Sequence, residues 1–171
     1  MARLLVILDL DETLVHVPEQ PLSRPPDFRV RGYPAYRRPH LESFLKQLRG
    51  RYEVAIWTTA VAAYAEAVVA EIIPFRSELA FLWSAEECVV EGGVKALRRV
   101  AALGFDLARV LVVDDSPEKL PEDSASLVRV TPFLGASDDT ELPFIAADIH
   151  RLAEQEDVRT IEKGAARRHR A

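Results

Sequence analysis

Short unbroken apolar runs alternate along the chain with longer segments in which apolar residues recur every three or four positions. Runs of the first kind are typical of strands buried on both faces, and the second spacing is typical of helices with one buried face. The predicted strands span residues 4–8, 54–57, 79–83, 110–113 and 127–130, and the predicted helices span residues 39–49, 60–73, 95–103 and 139–155. This alternation predicts an α/β fold, an open and mostly parallel sheet with helices on both faces.

A long irregular region at residues 12–38 separates the first strand from the first helix. Its first half contains four prolines, which exclude a continuous helix, and the alternation at residues 28–33 predicts an arm of a small hairpin. Between residues 28 and 41 the region lacks acids and carries five basic residues: Arg29, Arg31, Arg37, Arg38 and His40. A basic region of this kind either attracts an anionic substrate or is a solvated loop, and the sequence favours neither reading.

Composition limits the classes of protein to consider. The length of 171 residues suits one domain, which we expect to span residues 1–156, followed by a basic and disordered tail at residues 157–171. The net charge of −5 argues against broad nucleic-acid binding, and no apolar run approaches the roughly 20 residues of a membrane helix. Because the chain has no secretory signal and a single cysteine, Cys88, we expect a cytoplasmic protein that makes no membrane contact.

The polarity changes abruptly after the first strand, where Asp9 and Asp11 follow the apolar run. Side chains two residues apart in an extended chain project to the same face, so the two carboxylates can address one ligand. Two like charges this close repel each other, which indicates that a cation or a proton lies between them. Polar residues also follow three later strands: Thr58 and Thr59, Ser84, and Asp114 and Asp115. Because ligands bind at the carboxyl ends of parallel strands, we expect these residues to converge at one edge of the sheet.

Such a set of oxygen donors favours Mg²⁺ over zinc, because carboxylates are hard ligands and the chain is poor in cysteine and histidine. Mg²⁺ bound in this way points to phosphoryl chemistry. Asp9 can attack phosphorus to form an acyl phosphate, and Asp11 can protonate the leaving oxygen. Thr58 can donate hydrogen bonds to phosphoryl oxygens, and Lys95, at the start of its predicted helix, can neutralise their charge. The chain has no Walker-type glycine loop, which argues against an NTP-using kinase.

Four segments resemble, in the right order, the motifs of one family of phosphatases. They are residues 9–16 (DLDETLVH), 56–60 (IWTTA) followed by 64–65 (YA), 94–95 (VK) and 113–117 (VDDSP). On these motifs the chain is identified as a member of the haloacid dehalogenase superfamily, of the FCP/SCP-like type also called the NLI-interacting-factor-like phosphatases. The resemblance implies a single-domain Rossmann-like fold with a small flap after the first strand and no large cap. It also implies a Mg²⁺-dependent phosphomonoester hydrolase that forms an aspartyl-phosphate intermediate.

The same resemblance implies roles for individual residues, with Asp9 as the nucleophile and Asp11 as the acid and base. The implied catalytic residues are Asp9, Asp11, Thr58 and Lys95, and the implied substrate ligands are Thr58, Thr59 and Lys95. The implied metal ligands are Asp9, the backbone carbonyl of Asp11, and Asp115, with Asp114 in or next to the coordination shell.

Two departures from the family pattern bear on the substrate. Asp115 stands where members that act on the polymerase tail usually have asparagine, and the segment between residues 74 and 95 is short compared with their insert. The absence of a large cap implies an open site, which suits a bulky substrate such as a phosphoprotein. A phosphatase for nucleic-acid 3′ ends and one for small metabolites stay open as alternatives. A non-hydrolytic module like a phospho-receiver is less favoured, because Asp11 is placed to hydrolyse the intermediate. The sequence assigns neither the physiological substrate nor the oligomeric state.

Overall fold

A computed structural model of the chain describes residues 2–89 and 92–164. Its strands are β1 (Leu5–Leu8), β2 (Val15–His16), β3 (Phe28–Val30), β4 (Tyr33–Arg37), β5 (Glu53–Trp57), β6 (Leu82–Trp83), β7 (Val110–Asp114) and β8 (Leu127–Arg129). Its α-helices are α1 (Leu41–Leu48), α2 (Ala62–Ile72), α3 (Ala85–Val89), α4 (Arg98–Ala102) and α5 (Glu141–Ala153).

The main sheet has five parallel strands in the order β6-β5-β1-β7-β8. Strand β1 lies at its centre, because Leu5 pairs with Glu53 of β5 on one side and with Val110 of β7 on the other. Since the chain passes from β1 to one neighbour and later returns to the other, the crevice for a ligand opens beside the carboxyl end of β1. The predicted α/β fold with a parallel five-stranded sheet is confirmed.

The side chains of β1 divide between two cores, as the period of two along a strand requires. Val6 and Leu8 belong to the core that includes residues of α1, α2 and α5. Leu5 and Ile7 belong to the core on the opposite face, with residues of α3 and α4. All four side chains are fully buried, which explains why the apolar run is unbroken rather than alternating.

The residues after β1 form a second sheet of three strands in the order β2-β4-β3, which we call the flap. Strands β3 and β4 pair in antiparallel fashion, with Val30 opposite Tyr33. The two residues between them, Arg31 and Gly32, both have positive φ angles, of 51° and 91°. Two consecutive positive φ angles are typical of a tight hairpin turn. The predicted arm at residues 28–33 therefore contains one strand, the turn and the start of the next strand.

Arg38, at the end of the flap, is fully buried. Its guanidinium donates hydrogen bonds to both carboxylate oxygens of Asp139, each at 2.9 Å. It also donates to the carbonyl oxygens of Thr13 and Thr131, at 3.1 and 2.9 Å. Arg38 therefore ties the flap to the segment before α5. It is not part of a basic surface that could attract a substrate, although Arg29 remains exposed.

All four predicted helices begin two or three residues later than expected, and for two of them the local reason is clear. Helix α1 begins at Leu41 rather than at Pro39, because His40 has a left-handed φ of 67° and is not helical. The predicted helix at residues 95–103 contains the shorter α4. Lys95 lies ahead of it, and its backbone N–H donates at 2.7 Å to the carbonyl oxygen of Lys119. Side-chain periodicity reveals neither the left-handed residue before α1 nor the backbone hydrogen bond before α4.

The edge of the sheet next to β5 is also shorter than predicted. The strand expected at residues 79–83 is reduced to β6, which pairs with β5 only through Leu82 and Trp83. Helix α3 follows β6 directly and was not predicted, because a helix of five residues is too short to give an apolar period.

The packed part of the chain extends past residue 156, where we expected a disordered tail to begin. Val158 is fully buried in the core shared with α5, and the backbone N–H of Gly164 donates to the Asp148 carboxylate at 2.9 Å. Residues 165–171 of the predicted tail lie outside the described residues. No helix in the described ranges is both long enough and apolar enough to span a lipid bilayer.

Candidate active site

The predicted polar residues lie at the carboxyl ends of three neighbouring strands. Asp9 follows β1, Thr58 follows β5 and Asp114 ends β7. The backbone N–H of Asp9 donates to the carbonyl oxygen of Val113 at 3.0 Å, and that of Thr58 donates to the carbonyl oxygen of Trp83 at 3.0 Å. These bonds continue the ladders of the sheet, so the backbone that carries each polar side chain is fixed. The convergence expected from strand order is observed for Asp9, Asp114 and Asp115, of which one oxygen each lies within 4.8 Å of the others.

Lys95 is the central cation of this edge, and it is completely buried. Its Nζ donates to Oδ1 of Asp9 at 2.8 Å and to Oδ2 of Asp114 at 2.5 Å. A buried ammonium is strongly destabilising unless carboxylates and hydrogen bonds compensate its lost hydration, and here two carboxylates do so. The structure thus brings together three of the residues predicted from the sequence, two carboxylates and the lysine.

Asp114 and Asp115 are adjacent in sequence but differ in their hydrogen bonds. Asp114 uses one oxygen for Lys95, and its Oδ1 accepts a hydrogen bond from the backbone N–H of Ser116 at 2.9 Å. Oδ1 of Asp115 is buried and accepts no hydrogen bond from the described residues. A buried polar atom without a partner is rare and calls for an explanation, such as a bound ion.

One oxygen each of Asp9, Asp114 and Asp115 lies within 4.8 Å of the other two. Carboxylate oxygens at this spacing match the donors that hard divalent cations prefer, and Mg²⁺ in particular is held by a few carboxylates and a substrate phosphate. The unsatisfied Oδ1 of Asp115 and the spacing of the three carboxylates fit such an ion. We call the four carboxylates of this region, from Asp9, Asp11, Asp114 and Asp115, the acidic edge.

Asp11 is partly buried, and the hydroxyl of Tyr64 donates a hydrogen bond to its Oδ1. Burial raises the pKa of the Asp11 carboxyl to about 6, helped by the negative charges of Asp9 and Glu12 and opposed by the Tyr64 hydrogen bond and by Lys119. Burial and the neighbouring Asp11 carboxylate also raise the pKa of Tyr64, which therefore stays a hydrogen-bond donor. A carboxyl with a pKa near neutrality can both give and take a proton, as a general acid and base must.

The hydroxyl residues of the edge differ in what they can reach. Thr58 is buried, and its Oγ1 accepts a hydrogen bond from the backbone N–H of Ala60 at 3.1 Å, so its own proton can be donated elsewhere. Thr59 is exposed. Ser84 is turned to α3, where its Oγ lies 3.4 Å from the Glu87 carboxylate. Of these, Thr58 is the best placed to serve the acidic edge.

Three further residues contact the acidic edge although motif reasoning gave them no role there. Thr13 donates from Oγ1 to Oδ2 of Asp9 at 3.5 Å, Tyr64 holds Asp11, and the Nζ of Lys119 lies 3.5 Å from Oδ2 of Asp9. Thr13 and Tyr64 lie inside the motif segments at residues 9–16 and 64–65, which was the signal for them in the sequence, whereas Lys119 follows the last motif by two residues and had none.

Comparisons with known proteins agree with the geometry. The sequence model of the NLI interacting factor-like phosphatase family matches residues 4–159. The human protein named "Carboxy-terminal domain RNA polymerase II polypeptide A small phosphatase 1" is 31% identical over 168 residues, which cover 93% of this chain and 63% of the relative. CTD nuclear envelope phosphatase 1 of Xenopus tropicalis is 25% identical over 183 residues, covering 98% of this chain and 75% of the relative. The chain thus spans less than two thirds of the human relative's length.

Among solved structures, that of Fcp1, described as an essential RNA polymerase II CTD phosphatase, superposes with a TM-score of 0.72 at 20% identity, over 88% of this chain and 62% of Fcp1. A haloacid dehalogenase-like hydrolase of Streptococcus pneumoniae superposes with a TM-score of 0.54 at 14% identity, over 79% of this chain and 88% of that one. At these identities the superpositions establish the fold alone. The family match covers most of the chain and confirms the resemblance of its motifs: the chain belongs to the NLI interacting factor-like phosphatase family.

Proposed function

We propose that this chain is a Mg²⁺-dependent phosphomonoester hydrolase that works through an aspartyl-phosphate on Asp9, with a phosphoprotein as substrate. The observation that carries the proposal is the contact of Lys95 with both Asp9 and Asp114 at the carboxyl edge of the sheet. This contact fixes the Asp9 carboxylate at the crevice, next to a second acid with a raised pKa. The names of the relatives, which describe phosphatases, support the same reaction.

In the first half of the reaction, an oxygen of the Asp9 carboxylate attacks phosphorus and the ester oxygen leaves. Lys95 holds Oδ1 of Asp9, so the carboxylate cannot rotate away from the substrate. Tyr64 holds Oδ1 of Asp11, which leaves Oδ2 to carry the proton that the leaving oxygen takes up. In the second half, Asp11 removes a proton from the water that hydrolyses the aspartyl phosphate, and Asp9 is regenerated. Thr58 donates to a phosphoryl oxygen from the neighbouring strand end.

The metal would be held by Asp9, the backbone carbonyl of Asp11 and Asp115, whose Oδ1 accepts no hydrogen bond from the described residues. Both oxygens of Asp114 are engaged by protein donors, so its main task is to hold Lys95. When bound, Mg²⁺ supplies positive charge that offsets the charge of the carboxylates and of the phosphoryl oxygens.

The lack of an inserted domain between α2 and Lys95, among the described residues, supports a bulky substrate. The described residues between α2 and Lys95 are taken up by β6, α3 and short turns, with no additional domain. The human relative's name gives a polymerase carboxy-terminal domain as its target, which supports a phosphorylated protein segment for this chain as well. The burial of Arg38 removes one of the arginines on which a nucleic-acid 3′ end would depend.

The test is a substrate panel assayed with Mg²⁺ and with EDTA, on wild type and on Asp9→Asn. The panel contains an aryl phosphate, phosphoserine peptides, 3′- and 5′-phosphorylated oligonucleotides and small phosphate esters. We expect hydrolysis of the aryl phosphate that EDTA abolishes, and the highest kcat/KM on a phosphopeptide. Asp9→Asn should lower kcat by at least about 10³-fold, because amide oxygen is a poor nucleophile.

Asp138→Asn is the matched control, because it removes an exposed aspartate outside the acidic edge and should leave the rates unchanged. Retained activity in Asp9→Asn would rule out the aspartyl-phosphate. Preference for an oligonucleotide 3′ end or a small ester would keep the reaction and overturn the phosphoprotein substrate. A phosphorylated Asp9 that persists without turnover would indicate a receiver-like module instead.

A further inference from the structure

Lys119 lies among the carboxylates that would hold the metal. Its Nζ is 3.5 Å from Oδ2 of Asp9, 3.7 Å from Oδ1 of Asp114 and 3.9 Å from Oδ1 of Asp115. These distances are those of a cation shared by three acids rather than of one tight hydrogen bond. The three acids are the same ones whose oxygens lie within 4.8 Å of one another. The ammonium group thus stands at or next to the position that a divalent cation would take.

The charges of this site explain why an ammonium group is drawn there. Three carboxylates meet at the site, and Lys95 supplies one positive charge to two of them. The remaining negative charge is buried with Asp9 and Asp114, where it is strongly unfavourable without a counterion. A lysine side chain is positively charged near neutral pH, so Lys119 can supply the remaining counterion.

The backbone of Lys119 is fixed by hydrogen bonds, but its side chain can move into solvent. The backbone N–H donates to the carbonyl oxygen of Ser116 at 3.1 Å, and the carbonyl oxygen accepts from the N–H of Lys95 at 2.7 Å. The side chain is 21% exposed, whereas that of Lys95 is completely buried. Lys119 can therefore leave the acids by rotation about its side-chain bonds, without moving the turn at Pro117–Lys119.

We propose that the Lys119 ammonium is the counterion of the three-acid site in the metal-free protein, and that a divalent cation must displace it to bind. The proposal rests on the part of the proposed function that assigns the metal to these acids. Two cations cannot share one set of carboxylates without strong repulsion, so binding of Mg²⁺ and seating of Lys119 exclude each other. The lysine thereby keeps the acids paired while the metal is absent and weakens the affinity of the site for metal.

The first experiment measures metal affinity rather than turnover. Isothermal titration of the metal-free protein with Mg²⁺, and with Mn²⁺ as a second probe, gives the dissociation constant for wild type and for Lys119→Gln. Loss of the competing cation should tighten metal binding by about tenfold, within the usual range of coupling between two ligands. Without metal, Lys119→Gln should melt at a lower temperature than wild type, and saturating Mg²⁺ should raise its melting temperature by more than it raises that of wild type.

Two variants serve as controls. Lys46→Gln makes the same change in net charge at an exposed position and should leave metal affinity as in wild type. Lys119→Arg keeps the positive charge and should bind metal about as weakly as wild type. Metal affinity in Lys119→Gln that equals wild type, or is weaker, would overturn the proposal while leaving the phosphatase assignment intact. Failure of wild type and Lys119→Gln alike to bind either metal would overturn both the proposal and the assigned metal site.

A second experiment uses the wild-type chain and does not depend on a variant that folds. Acylation of lysines with a water-soluble ester, followed by mass spectrometry, gives the labelling rate of Lys119 with EDTA and with saturating Mg²⁺. Displacement should raise the rate at Lys119 severalfold on addition of metal and leave the rate at Lys46 unchanged. An unchanged or slower rate at Lys119 would contradict the displacement.

Discussion

The described residues include two buried ionic clusters, one that joins the flap to the segment before α5 and one at the acidic edge, and they differ in how completely their charges are satisfied. In the first, Arg38 meets Asp139 through two hydrogen bonds of 2.9 Å and uses further donors for two backbone carbonyls. In the second, Lys95 meets two carboxylates, and a third carboxylate next to them has a buried oxygen with no hydrogen bond from the described residues. One cluster pairs one cation with one acid, and the other holds an excess of acid.

This difference separates a structural ion pair from a reactive one. A buried pair with matched charges and full hydrogen bonding has nothing left to offer a ligand, so its task is to join segments of the chain. A buried cluster with surplus negative charge is costly to the folded state unless a cation or a proton joins it. Perturbed groups of the second kind are typical of functional sites. The hydrogen-bond partners of each atom therefore distinguish the two clusters, although Arg38 and Lys95 are both completely buried.

The largest effect on stability is expected when one partner of the buried Arg38–Asp139 ion pair is removed. Arg38→Met removes the guanidinium that neutralises the buried Asp139 carboxylate, so we expect the free energy of unfolding to fall by about 3–5 kcal/mol. Urea unfolding followed by circular dichroism measures the loss. The double variant Arg38→Met/Asp139→Leu removes both charges and should recover most of it. A loss below about 1 kcal/mol in the single variant would be that of a surface pair and would contradict a structural role.

A smaller effect, with a distinct pH dependence, is expected at the acidic edge of the metal-free protein. The pKa of Asp11 is about 6 in the folded state, against an ordinary value of 3.8. Between these values the folded state binds more protons than the unfolded state, so this group lowers the free energy of unfolding as pH rises through the window. Asp11→Asn cannot ionise, and its stability relative to wild type should increase by about 2 kcal/mol from pH 4 to pH 7.

Urea unfolding in EDTA at a series of pH values gives this difference. Asp138→Asn, which changes an exposed aspartate, should show no such trend. A difference between Asp11→Asn and wild type that does not change with pH would mean that Asp11 is an ordinary solvated acid, and the contrast between the two clusters would then rest on Asp115 alone.

The smallest effect is expected at an ion pair on the surface. Arg49 and Glu78 form an ion pair with each other, and their side chains are 53% and 49% exposed. Water screens such a pair and ordering its side chains costs entropy, so Arg49→Gln should shift the melting temperature by no more than about 1 °C. Calorimetry of the metal-free protein measures the shift. A shift of several degrees would show that an exposed ion pair can contribute to stability as much as a buried one, so burial would not explain the larger effects expected at the two buried clusters.

The sequence was sufficient to predict which acids meet at the edge of the sheet. An unbroken apolar run indicates a buried strand, and Asp9 and Asp11 follow such a run directly. Asp114 and Asp115 likewise stand at the end of the apolar run of β7. Because the carboxyl ends of parallel strands lie at one edge of a sheet, the two pairs of acids are expected at the same edge. Lys95 was found by its order among the motifs, but its complete burial was not, because no local pattern indicates which lysine enters a core.

The residues that sequence reasoning misplaced depend on long-range contacts. Arg38 looked like one of several basic loop residues because its acid partner, Asp139, stands 101 positions further along the chain. Tyr64 reaches Asp11 from 53 positions away, by the way α2 packs beside the edge. Such pairs follow from tertiary packing, which local periodicity and spacing do not encode.

The central place of β1 in the sheet also determines when the site comes into being as the chain folds. Asp9 and Asp11 are synthesised well before the lysine that holds Asp9, which lies 86 positions later, and β7 follows that lysine. Closing a loop of this length precedes any gain from the parallel pairing of β1 with β7, so such contacts form slowly. Until that pairing is made, the two acids lie on a chain that has neither a crevice nor a bound cation. The buried contact of Asp9 with Lys95 is thus formed only together with the sheet that restrains both residues.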